Sequence, residues 1–173
     1  MSNRFGSAIL AGIVGVSAGW LGGCGADAQQ PTDAAVSRDA DFSVCQDTPA
    51  IVYMPGIKVT STSGAYVAKL DSAVTEGTPP IIGPDVGLNT WVVSITNAAD
   101  GTPGGVTMTA ERPTMPLHGH GATTFPTVTP GDPDKFTVSK IDFFMSGYWE
   151  QKLDLQPASG ALDKAVFAIC VPQ

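Results

Sequence analysis

The sequence predicts an all-β fold, an immunoglobulin-like β-sandwich of about seven strands. Three observations carry this. Runs of four to eight residues rich in β-branched and aromatic side chains recur along the chain and alternate apolar with polar. Turn-forming clusters separate them, and 20 glycines with 14 prolines interrupt any long helix. No segment carries an apolar period of 3.6 residues, so helical layers are not expected.

The elements follow in chain order. Arg4 precedes an apolar run from Ala8 to Leu21, and Leu21-Gly22-Gly23-Cys24 closes it. A basic start, a short apolar core and small residues before a cut site describe an export signal over residues 1–23. The run is too short for a membrane span, which needs roughly 20 apolar residues. Leu21-Gly22-Gly23-Cys24 resembles a bacterial lipobox, in which the cysteine thiol accepts the lipid, so Cys24 is the expected lipidation site. An ordinary signal cut near Ala26 or Ala28 is the alternative. Residues 24–43 hold mainly Ala, Asp, Gln, Pro, Thr and Ser with little to bury, and read as a flexible tether. Residues 44–173 form the domain. Strands are expected at Ala65–Leu70, Asn89–Thr96, Val106–Glu111, Lys135–Val138, Ile141–Met145, Tyr148–Leu155 and Lys164–Val171. Asn97 to Gly105 is the most strongly marked turn between them.

Charge and cysteines narrow the function. Once Arg4 leaves with the signal, eight Lys and Arg face sixteen Asp and Glu, a net charge of −8. Nucleic acid and anionic membrane surfaces are poor partners for such a chain. With Cys24 lipidated, Cys45 and Cys170 remain as an even pair in an oxidising compartment, where a disulfide is expected. Two free thiols acting as soft metal ligands are the alternative.

Chemistry concentrates in one loop. The only two histidines stand in Met115-Pro116-Leu117-His118-Gly119-His120-Gly121. In an extended segment residues i and i+2 project to the same side, so His118 and His120 can face one point. Imidazole suits copper, zinc or nickel, and thioether sulfur suits Cu(I). Met115 and Met108 supply thioethers upstream, giving a His118, His120, Met115, Met108 set that favours copper over a four-ligand zinc site. Against this, Met on a strand is usually core filler, and a His-Gly-His loop can simply satisfy its own backbone. No Gly-x-Ser-x-Gly elbow or phosphate-binding glycine loop occurs, so an enzyme is not expected. Glu111 and Glu150 read as solvated acids. Phe143-Phe144-Met145-Ser146-Gly147-Tyr148-Trp149 either fills the core at a bend or exposes aromatics to a partner.

These motifs resemble the YtkA-like domain. The Met115-to-Gly121 loop, the Phe144-Met145-Ser146-Gly147-Tyr148-Trp149 hairpin and the terminal Ala165-to-Val171 strand occur in that order, and the likeness runs from about Pro84 to Val171. It implies a small immunoglobulin-like periplasmic domain associated with copper handling or oxidase assembly, with ligand roles for Met115, His118 and His120. Periplasmic copper chaperones of the His/Met type carry further ligands. This chain has no third histidine, so a site must recruit Met108, Met145, a carboxylate or water. The expectation is a cell-envelope lipoprotein held to a membrane through Cys24, with copper as cofactor. The competing expectation is a metal-free structural lipoprotein with an envelope protein as partner.

Overall fold

Alternation along the strands is realised as two antiparallel sheets packed face to face. The computed structural model describes residues 40–173. The signal at 1–23, Cys24 and the tether up to residue 39 lie outside the described residues. A single 3-10 turn at Ser43–Cys45 precedes β1 (Lys58–Thr60), β2 (Tyr66–Thr75), β3 (Ile81–Ile82), β4 (Gly87–Asn97), β5 (Val106–Ala110) and β6 (Thr114–Met115). Then come β7 (His120–Gly121), β8 (Thr127–Pro130), β9 (Lys135–Phe143), β10 (Gly147–Pro157) and β11 (Asp163–Val171).

The first sheet runs β1-β2-β4-β9-β8, with β3 also on β2. The second runs β11-β10-β6-β7, with β5 also on β10. Seven strands have four or more residues: β2, β4, β5, β8, β9, β10 and β11. Their order, β2-β4-β9-β8 against β11-β10-β5, is the four-plus-three arrangement of a constant-type immunoglobulin domain. The short extra strands edge this frame.

Two bulges explain where sequence and structure part. On β2 the inward side chains are Ala68, Leu70, Ala73 and Thr75, and the register shifts between Leu70 and Ser72. On β9 they are Phe136, Val138, Ile141 and Phe143, with Lys140 at φ +60° where the pairing shifts. One extra residue moves the alternation by one step, so the strand continues while its period breaks. Thus β2 outruns the expected Ala65–Leu70, and the two expected strands at 135–138 and 141–145 are one.

The core lies between the sheets. Trp91 on β4 meets Phe143 on β9 at 6.0 Å and Phe167 on β11 at 5.7 Å between ring centroids. Phe143 meets Trp149 on β10 at 5.4 Å. Both ends of the described residues are then tied to the second sheet. Cys45 and Cys170 form a disulfide across 125 residues of sequence. Ile51 bridges Ile169 in parallel, and the Gln173 N–H donates to the Asp41 carbonyl at 3.0 Å. The chain therefore already holds the sandwich at Asp41, inside the stretch expected as tether.

At the opposite end of the sandwich Asp163 joins the turn before β2 to the start of β11. The Ser63 N–H and hydroxyl donate to its carboxylate at 3.0 and 2.5 Å, and the Lys164 N–H donates at 2.8 Å. Burial alone would raise this carboxyl. The hydrogen bonds from Ser61, Ser63 and Lys164 outweigh it together and hold the group at about 2.

Two outcomes follow from these ties. Replacing Cys45 and Cys170 with alanine lowers unfolding free energy by roughly 2–4 kcal/mol, read from urea melts, because the open chain gains loop entropy. An unchanged midpoint would refute the constraint. Because the folded pKa of Asp163 is depressed, its contribution is complete above the ordinary carboxylate value of 3.8 and disappears as pH falls toward 2. The wild type therefore loses more stability than Asp163→Asn between pH 4 and about 2; parallel losses would remove this role.

Candidate functional site

The histidines sit on a small hairpin at one end of the second sheet. β6 pairs β7 through Thr114 with Gly121 and Met115 with His120, and Thr114 also faces Glu150 on β10. The N–H groups of His118 and Gly119 both donate to the Met115 carbonyl, at 3.1 and 3.0 Å, which closes the turn. Gly119 takes φ +68°, a conformation that costs L residues with a Cβ. At Gly121 a Cβ would stand 2.6 Å from the Pro113 carbonyl oxygen, so only hydrogen fits.

That turn brings the two imidazoles together. Both are exposed, with ring centroids 5.5 Å apart and planes at 69°. The mechanism differs from strand alternation: only His120 lies in a strand, and the tight turn carries His118 beside it. The His120 ring also lies 5.5 Å from that of Phe144, which meets Trp149 edge-on at 5.2 Å. A row of rings thus leads from the buried Trp91 to the exposed histidines.

The methionines divide. Met115 is 1 % exposed, and its methyl lies where a Cβ on Gly147 would fall, 2.8 Å away, so its side chain packs the core beneath the hairpin. Met108 is buried on β5 opposite Leu155, whereas Thr114 faces Glu150. Five residues along β10 separate these positions by about 17 Å. Met108 therefore does not join the histidines, and the expectation that it does is corrected: its alternation points into the core. Met145, by contrast, is exposed on the loop after β9, next to Phe144. The expected strand 141–145 would have continued the alternation; β9 ends at Phe143, and Ser146-Gly147 was the turn signal for that.

Carboxylates near the hairpin have other partners. An open hollow of about 410 Å³ beside it is lined by Thr114, Met115, His120, Glu150 and Lys152 among others. Glu150 accepts a hydrogen bond from the Tyr148 hydroxyl at 2.6 Å and pairs with Lys152 at 3.3 Å. Burial, then the hydrogen bond to Glu150 and its charge, push the Tyr148 phenol up to about 12, so it stays protonated in neutral solution. Glu111 pairs with Lys164, which also reaches Asp154 at 3.2 Å. Both glutamates are thus paired with neighbours. No three of His, Cys, Asp or Glu gather as a metal-binding group among the described residues.

Comparison with family models, with curated proteins and with solved structures gave no match to this chain.

The arrangement offers two accessible nitrogen donors from one turn, with a thioether on the adjoining loop. That set does not meet the four ligands of a structural zinc site. Imidazole and thioether are donor types that transition metals such as copper accept.

Proposed function

We propose that the protein is a lipid-anchored domain of the cell envelope that binds copper at His118 and His120 and sequesters or delivers it. The observation that carries this is the exposed pair of imidazoles, 5.5 Å apart on a closed turn. The fixed turn presents both rings before any metal arrives, which limits the ordering cost of binding. Met145 is the thioether available from the loop that touches His120. Met115 serves as the packed floor that holds the turn. The likeness to YtkA-like domains belongs to the same proposal, as do the anchor at Cys24 and the envelope location. Such a shallow site favours release to a partner offering more ligands, so transfer proceeds by ligand exchange.

A second reading, a metal-free interaction lipoprotein, draws its support from the burial of Met108 and Met115. With those sulfurs in the core, the loop keeps only two nitrogen donors of its own.

An anaerobic Cu(I) titration of the full chain against a competing chelator separates the two. One equivalent of Cu(I) is expected to bind to the wild type and none to His118→Ala/His120→Ala. Both rings are exposed, so the double variant is expected to unfold within about 0.5 kcal/mol of the wild type. Equal copper retention by the variant would overturn the assignment in favour of the metal-free reading.

A further inference from the structure

The two ends of the sandwich differ in character. One end carries the turns at 61–65, 98–105, 131–134 and 157–162, built from Ser, Thr, Asp, Gly, Pro and Ala. Among the described residues Leu162 is the large exposed apolar side chain there. The other end gathers the loop from β2 to β4, the hairpin with the segment after it, and the loop from β9 to β10. From these project Leu117 at 70 % exposure, Phe125 at 67 % and Phe144 at 48 %, together with Val86 and Met145, whereas Ile82 pairs with Val74 level with Thr90 on the outer face of the first sheet. Register fixes their common placement. Gly87 faces Phe143, Gly147 faces Val171, and Thr124 beside Phe125 donates to Asp142 at 3.2 Å.

The described chain begins at the apolar end as well. Asp41 is bonded to Gln173, just past Val171, and the Cys45–Cys170 disulfide fixes the segment next to Tyr148. A lipid at Cys24 would therefore join the sandwich at this end, the other end lying about 35 Å away along an 11-residue strand.

We infer that this apolar end is a membrane-contacting surface, whose Leu117, Phe125, Phe144 and Val86 enter the interfacial layer of a neutral phospholipid bilayer. Aromatic and large aliphatic side chains from loop tips suit that layer, where burial of apolar area drives binding. Arg112 lies 4.7 Å over the Phe125 ring, a cation that lipid headgroups can solvate. The acidic balance of the chain disfavours an anionic lipid surface, so contact rests on apolar insertion and changes little with salt. His118 and His120 then stand at the bilayer surface. The inference rests on the anchor part of the proposed function.

The test reconstitutes the full chain, carried through export in a bacterial host, into phosphatidylcholine vesicles containing a phosphatidylcholine with a photoactivatable acyl chain. After illumination and digestion, adducts are located by mass spectrometry. They are expected in residues 84–88, 116–126 and 144–146 and absent from 98–105, 131–134 and 157–162. Adducts shared equally between the two ends, or none in the three loops, would overturn the surface; the second result would leave a protein as the occupant of this end. The mass of the N-terminal peptide reads the anchor separately. Loop adducts on a chain without lipid at Cys24 uphold the surface and refute the anchor, whereas a lipidated chain lacking loop adducts does the reverse.

Discussion

The rest of the structure depends on the aromatic contact between the sheets. Trp91 and Phe143 come from the first sheet, and Phe167 and Trp149 from the second, with centroids 5.4 to 6.0 Å apart. Each such pair adds about 0.5–1.5 kcal/mol beyond the area it buries. More importantly, rings of this size fix the relative position of the sheets, because a packed interior leaves them little freedom to slide. The frame of seven strands is closed around that contact.

The same rings reach the surface. Trp149 donates its indole N–H to the Met145 carbonyl at 2.9 Å and holds Phe144 edge-on, and Phe144 lies against His120. Met115, pinned beneath the hairpin at Gly147, holds the turn from below. The histidines therefore stand on a supported turn, as the proposed site requires of the elements that present its donors. Glu150 stays with Tyr148 and Lys152, so nearby negative charge has its own partners.

Much of the fold was legible because strand alternation reports burial directly: Trp91, Val93 and Ile95, or Val106 and Met108, face inward as their spacing says. The bulges at Asp71 and Lys140 were not, since one inserted residue erases the period without ending the strand. Two-residue strands such as β3, β6 and β7 are too short to show any period. At the site, the His-Gly-His motif was readable, whereas the separation of its methionines was not. A strand pattern gives Met108 a direction but not its distance from a loop, which depends on where β5 and β6 each meet β10. The polarity of the two ends likewise needs the register, because it combines loops far apart in sequence.

The most direct measurement uses the fact that the chain has only two histidines. In nuclear magnetic resonance spectra of protein labelled with nitrogen-15 in histidine, Cu(I), which is diamagnetic, is added stepwise under anaerobic conditions. The account predicts that both imidazole signal sets move together and stop moving at one equivalent. Signals that stay in place while copper is added, or a response from one ring alone, would contradict a site shared by His118 and His120.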